Sequence, residues 1–597
     1  MRLYRTCRAG LLGLLLSLSG GWVAPAPLND TTQALGESAR SGTPVRLGPG
    51  QSGSNPRELT AVGGKLFFAA TTDGDRELWV TNGTPEGTRR VSDVFPGPES
   101  SNPQQMAALD GVLLFSARTR GLASDGNIHV LGQELWRSDG TSEGTCLVKD
   151  INPGRPGTSE SVPSYPYSDS SPTGLKAVGD AIYFRARGGD PWTAPEGLWR
   201  TDGTPEGTSL VRNLRIGSPT PASSTFVVMD GVVYFAANGS FGQNELWRSD
   251  GTAEGTRLVA GPTFQWRDVS QLTVLDGVLY FTAYQESTGT ELWRSDGSLE
   301  GTRRVTDINP GPGHSVISCV TSMGGALYFS AYQEGTGTEL WRSDGTLEGT
   351  RLVKDINPGM EDSGMNCPVV LNGALYFTAL QKSTGMELWR SEGTAETTRL
   401  FKELVPGTGW GVPWQRLHPL ESGGFLFSAT APDTGTELWM SDGTVEGTEL
   451  VADVLPGAES SNPGDFVLAG NTLYFTTGDA LTRELWALPL PGSTPPNEAD
   501  ASLPVGRHPC RQSPDTGEQP DTGGSPDEGS DPDGQGSGDN EQPPKELHQR
   551  PLLGGCGVLP SGAFPLAGLL VMAVLARRGR GTRALPAKAS KDESLHE

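Results

Sequence analysis

Glu339-Leu340-Trp341-Arg342-Ser343-Asp344-Gly345-Thr346-Leu347-Glu348-Gly349-Thr350 is the clearest copy of a block that recurs nine times along the chain. Its tryptophans are Trp79, Trp136, Trp199, Trp247, Trp293, Trp341, Trp389, Trp439 and Trp486, each preceded by Leu. Glu stands before that Leu in eight copies, and Gly197 replaces it in the third. Successive spacings are 57, 63, 48, 46, 48, 48, 50 and 47 residues. Each Trp follows an apolar run centred on a phenylalanine: Phe68, Phe115, Phe184, Phe235, Phe281, Phe329, Phe377, Phe427 or Phe475.

Outward from the block, one period holds four strand-like runs. In the sixth copy they are 318–323, 326–331, 339–343 and 351–356, separated by Gly-, Asp- or Asn-rich turns. Run 326–331 is apolar on both faces, as in a sheet packed from both sides. Asp344-Gly345 suits a turn that needs positive φ, with the Asp side chain capping its own backbone. The competing reading makes each repeated Asp a metal ligand or catalytic carboxylate. Glu392 at this position in the seventh copy fits a turn better.

Four strands in about 48 residues make one blade of a β-propeller. The Phe and Trp of each blade are expected as core between neighbouring blades. The ninth copy stops at Ala487-Leu488-Pro489-Leu490, without a turn block or fourth strand, whereas residues 42–50 resemble the fourth strand of the first copy. The N-terminal segment can thus complete the last blade and cover its edge. The expected fold is all-β, a propeller of nine four-stranded blades closed by an N-terminal strand. The alternative is eight blades plus one displaced repeat, and pairing of residues 44–47 with any other blade would exclude nine.

Composition agrees. Gly (82) and Pro (46) make up 128 of 597 residues, too many for a mainly helical protein. No Gly-X-Y period suggests collagen. The net charge of −24 argues against nucleic acid as a partner.

The Glu-Leu-Trp and Asp-Gly-Thr pattern resembles the ELWxxDGT-repeat proteins over about residues 42–490. That resemblance implies an extracellular β-repeat architecture and no particular activity.

The flanks read differently. Residues 1–26 resemble a secretory signal, with Arg2, Arg5 and Arg8 before an apolar run; a short linker, 27–41, follows. Residues 491–553 form an acidic Pro/Gly-rich stretch, expected to be extended and self-repelling; its span 492–550 holds 12 acidic and 4 basic residues. Residues 554–583 contain Gly555-Cys556, an apolar run from 558 to 576 and an Arg cluster, and 584–597 form a C-terminal extension. The run is about long enough to span a bilayer core as a helix. The order of acidic linker, Gly-Cys, apolar helix and Arg cluster resembles the MYXO-CTERM sorting tail. The resemblance implies processing near Cys556 and display at the cell surface. The alternative is a plain membrane anchor.

In an antiparallel meander the 2–3 and 4–1 loops share one face of the ring. Extra residues fall near 119–133, 154–172 and 187–196, all on that face. The tryptophans outside the motif and the signal are Trp192, Trp266, Trp410 and Trp414, which fall in or beside loops of the same face. Tyr165 and Tyr167 lie in the longest insertion. Aromatic loops on a rigid scaffold point to binding, although such side chains also plug loops. The six candidates are Tyr165, Tyr167, Trp192, Trp266, Trp410 and Trp414.

Recognisable chemistry is missing. The six His show no metal-ligand spacing on one element, and no nucleophile elbow, phosphate loop or dinucleotide fingerprint occurs. No cofactor or metal is expected. Cys319 and Cys367 occupy equivalent sites on neighbouring repeats, and a disulfide between them needs Cα atoms within about 7 Å, reachable only near the channel. Cys146 reads as a free strand thiol, and Cys510 has no obvious partner. The leading expectation is a monomeric, exported, non-catalytic binding or adhesion propeller for an extracellular glycan or protein, held to the membrane by its tail. The alternatives are a polysaccharide-acting enzyme using channel carboxylates and a structural envelope component.

Overall fold

The computed structural model describes residues 43–48, 53–122, 128–152, 169–188, 196–214, 226–238, 244–259, 266–412, 416–420, 423–478 and 482–490. The expected signal, acidic linker, Cys556 and apolar tail lie outside them. The described residues contain 36 strands and no helix. The strands form nine four-stranded antiparallel sheets. Eight of these blades are sequential meanders, spanning 57–92, 104–149, 173–213, 226–258, 266–304, 318–354, 369–402 and 418–452. The ninth joins Gly464–Ala469, Thr472–Thr477 and Glu484–Pro489 to Val45–Leu47.

Val45–Leu47 pairs with the last strand in the register Val45↔Ala487, Arg46↔Trp486 and Leu47↔Leu485. An ion pair from Arg46 to Glu484 (2.5 Å) pins it. The ring therefore closes at nine blades, and the eight-bladed alternative is excluded. In the sixth blade the strands are Ser318–Met323, Ala326–Gln333, Gly337–Ser343 and Arg351–Lys354. The second and third are longer than the apolar pattern indicates, because their backbone ladder continues past the buried residues to Gln333↔Gly337.

Each motif Phe lies directly across from its Trp, from Phe68↔Trp79 to Phe475↔Trp486. All nine phenylalanines are fully buried. The apolar clusters each combine two blades: Tyr280 and Leu292 of blade 5 pack with Leu327, Phe329 and Trp341 of blade 6. Both faces of the middle strands are buried because each blade is sandwiched between two others. At the closure, Leu66, Phe68 and Ala70 of blade 1 pack with Leu47, Tyr474 and Leu485 of blade 9.

The Asp-Gly turns are self-contained. Asp344 Oδ1 accepts from Thr346 N (3.0 Å) and Thr346 Oγ1 (2.6 Å), and Thr346 Oγ1 accepts from Gly349 N (3.0 Å). The tuck leaves no room at 349, where a Cβ would fall 1.9 Å from the carboxylate. Blade 7 changes both partners together: Glu392 replaces the Asp and Thr397 the Gly, and Thr397 Oγ1 now accepts from Glu392 N (3.2 Å). The repeated Asp is a turn former.

Candidate functional site

Where they are described, the 4–1 loops lie beside the 2–3 hairpins of their own blades. Ser100 Oγ accepts from Arg76 N (2.9 Å), Asp362 Oδ1 from Thr338 N (2.7 Å) and Ser460 Oγ from Thr436 N (2.9 Å). These loops thus share one face, as the meander requires.

The Glu of the motif holds that face together. Glu77 accepts from Val94 N (3.2 Å), Ser101 N (2.9 Å) and Ser101 Oγ (2.7 Å). Glu437 repeats this with Val454 and Ser461, and Glu134 with Ile151 and Ser170. The clamped residue then accepts through its carbonyl from the next blade: Arg118 N to Ser101 O (2.7 Å), Leu380 N to Ser363 O (2.7 Å) and Thr430 N to Gly411 O (2.7 Å). Thr71 N to Ser54 O (2.8 Å) makes the same contact across the closure. The result is a hoop through blades 1, 2, 5, 6, 7 and 8, in which the Glu fastens its own 4–1 loop and that loop fastens the next blade. Sequence reasoning missed it, although the Glu-to-Ser separation of 24 in blades 1, 5 and 8 was there to be found.

Burial pushes the carboxyls of Glu77, Glu291, Glu339 and Glu387 up to about 7, against the pull of their hydrogen-bond donors. Glu134 and Glu437 move upward for the same reason. Raised carboxyls mark catalytic acids when they face a cleft. These face their own loop backbone, on the third strand of the blade, and are occupied there. Blade 3 has Gly197 in place of the Glu, Glu484 of blade 9 pairs with Arg46 instead, and among the described residues a buried Oε2 of Glu245 in blade 4 has no hydrogen-bond partner.

The inner strands form a second belt. Inner strands of neighbouring blades abut from blade 1 to 3, from 4 to 8 and across the closure from 9 to 1. A bulge there puts Glu58, Gln105, Gln271, Cys319 and Asp465 at positive φ. Glu58 Oε2 accepts from Gln105 N (2.8 Å) and Gln105 Oε1 from Gly174 N (2.8 Å), linking blades 1, 2 and 3. Cys319 and Cys367 take the equivalent role between blades 6 and 7 as a disulfide, with Cα atoms 4.5 Å apart. Cys146 is also disulfide-bonded, which corrects its reading as a free thiol; only tertiary proximity brings a partner to it. A cleft at the closure is lined by Arg57, Glu58, Asp465, Phe466 and Arg483. Its carboxylates are engaged, Asp465 by Arg483 and Thr476 Oγ1 (3.0 Å), Glu58 by Gln105. Asp75, Glu77 and Asp93 also converge, but Arg90 Nη2 sits among them, 2.9 Å from Asp75 and 2.8 Å from Asp93.

Of the six aromatic candidates, Tyr165, Tyr167, Trp192 and Trp414 lie outside the described residues. Trp266 begins the inner strand of blade 5, opposite Gln285. Trp410 lies on the 4–1 loop after blade 7, bridged to Met386 through its backbone, and is exposed. The structure thus places two of the six and does not bring them together. The first insertion is a longer 2–3 hairpin, Val112–Leu122 with Ile128–Ser138, which leans on the loop of blade 1. Arg120 stacks over Phe95 (4.5 Å) and pairs with Glu99 (3.5 Å).

The fold defines a nine-bladed β-propeller. No family model matches the chain, and no curated protein resembles it. Among solved structures it is similar to a puromycin hydrolase (16% identity, covering 64% of this chain and 60% of that one, TM-score 0.33). It is also similar to prolyl endopeptidases (13%, 70% and 57%, TM-score 0.34) and to a Pyrococcus horikoshii acylaminoacyl peptidase (10%, 63% and 56%, TM-score 0.29). The chain's match spans about 60% of the length of the first of these. At such identities the likeness concerns the fold alone.

Proposed function

We propose that the ring is a non-catalytic, surface-displayed binding or adhesion module that recognises an extracellular glycan or protein partner through its 2–3/4–1 loop face. One observation carries this reading. Hoop, inner belt and closing strand hold the blades as a rigid scaffold, while the irregular lengths and spare aromatics fall, by their place in the sequence, in or beside the 2–3 and 4–1 connections. The signal-like N-terminus and the resemblance to ELWxxDGT repeats support export. The tail resembling MYXO-CTERM supports membrane-tethered display, with the acidic stretch as a spacer.

The test is retention on envelope or polysaccharide material. Tyr165→Ala, Tyr167→Ala and Trp192→Ala together are expected to abolish retention of a folded protein; unchanged retention would refute this face. The enzyme alternative has one foothold, the cleft that holds Glu58 and Asp465. Polysaccharide cleavage lost in Glu58→Gln and Asp465→Asn would establish it.

A further inference from the structure

Four consecutive 4–1 loops, after blades 5, 6, 7 and 8, each present one large apolar side chain to solvent. They are Val316 (60% exposed), Met360 (79%), Trp410 (50%) and Leu455 (42%). Solvent-exposed apolar side chains repeated on one face of a rigid ring mark an interaction surface better than scattered ones do. Val316 adds a second sign. The residue after the hoop serine is left-handed: Asn55, Asn102, Ser171, Gly364 and Asn462 supply it elsewhere, mostly Asn or Gly, the types that tolerate it. At φ 44°, a β-branched valine is strained there and remains exposed.

Charge says what covers this surface. The same four loops and the adjacent hairpin tips carry exposed Glu286, Glu334, Glu361, Asp362, Glu403 and Glu459. Lys382 and Arg416 are the basic side chains described there, and Lys382 is already paired with Glu361 (2.8 Å). An acidic rim around apolar knobs fits a partner that is cationic and apolar. Neutral sugars stack on aromatic faces, and three of these four side chains are aliphatic. Acidic polysaccharides and nucleic acid would be repelled.

We infer that the loop face over blades 5–8 docks a cationic polypeptide segment with apolar anchors, Met360 and Trp410 forming the centre of the contact. The inference rests on the loop face being the binding face and narrows the partner to a polypeptide. Met360, a flexible thioether, adapts to anchors of several shapes. The carboxylates steer the approach and make it dependent on salt.

The full chain is titrated with a labelled synthetic peptide alternating Lys with Leu and Trp, and with a Lys/Ser peptide of equal length and charge, followed by anisotropy. The Lys/Leu/Trp peptide is expected to bind, more weakly at high salt. Met360→Ser with Trp410→Ser is expected to weaken binding about tenfold or more, as for loss of central anchors. Glu361→Gln with Glu459→Gln is expected to reduce the salt dependence. Equal binding of the Lys/Ser peptide would overturn the inference, showing only attraction to a polyanion. So would unchanged affinity in the Met360/Trp410 variant. If that variant melts earlier than the parent, Met360→Lys with Leu455→Lys replaces it, with the same loss expected. Envelope retention that depends on Tyr165, Tyr167 and Trp192 while the peptide fails to bind would sink this inference and leave the broader binding function standing. Peptide binding without any such retention would do the reverse.

Discussion

The hydroxyl of Tyr474, in the last blade, lies over Gly83, in the first: a Cβ at position 83 would sit 3.0 Å from that oxygen. The same meeting occurs inside the ring at Tyr234 and Gly297, Tyr280 and Gly345, and Tyr328 and Gly393. In each case a second-strand tyrosine reaches the glycine of the 3–4 turn of the following blade, where glycine alone leaves space at positive φ. The junction between blades 9 and 1 is thus built like the internal ones.

Closure predicts that a three-residue strand carries much of the ring's stability. Leu47 is fully buried in the cluster shared by blades 9 and 1. Leu47→Ala should cost about 2–5 kcal/mol in urea unfolding, the range for a large-to-small change in a packed core. Exposed Arg46→Ala should cost under about 1 kcal/mol, since its ion pair is half in water. Equal effects of the two would argue against a closed ring.

The turn block predicts a compensating pair. Gly349→Thr drives a side chain into the Asp344 carboxylate and should destabilise by about 1–3 kcal/mol. Asp344→Glu combined with Gly349→Thr recreates the arrangement of Glu392 and Thr397 and should recover most of the loss. A double-mutant cycle with no coupling would show that the two changes in blade 7 are unrelated.

The hoop predicts a pH dependence. Glu77, Glu291, Glu339 and Glu387 have folded pKa values of about 7 against 4.5 for the free side chain, so the ring binds their protons more tightly than the unfolded chain does. Their contribution to stability is full below about pH 4.5 and is lost as pH rises through 7, by roughly 1–3 kcal/mol for each group. Turn carboxylates such as Asp296 and Asp344 are held below their usual range by the Thr or Ser they accept from, so they favour folding above it and oppose acid. Urea midpoints should therefore peak near pH 5 and fall toward pH 8. Glu291→Gln should flatten the decline; a decline unaltered by it would place the titration elsewhere.

The inner belt predicts a redox-dependent contribution from the junction of blades 6 and 7. The Cys319–Cys367 bridge closes a separation of 48 residues, for which the chain-entropy account gives about 4 kcal/mol. Cys319→Ser with Cys367→Ser should lower the melting temperature under non-reducing conditions. The change should be smaller in reductant, where the parent has also lost the bond.

Much of this was legible in the chain itself. The strand count per period, the two-sided burial of the middle strands, the structural Asp-Gly turns and the completion of blade 9 by residues near 45 all follow from local pattern. Repeats convert weak local signals into a strong one, because the same strand and turn must form nine times and pack on copies of itself. Tertiary structure decided what depends on residues far apart in sequence meeting at one place. The motif Glu reads as an ordinary polar letter until the fold delivers two backbone donors and a serine to it in a buried pocket. Cys146 reads as a free thiol until proximity gives it a partner, and nothing in the sequence marks Val316 until its φ and exposure are known. Local chemistry set the blade; the meeting of blades, and the burial it imposes, set the clamps, the closure and the surface left for a partner.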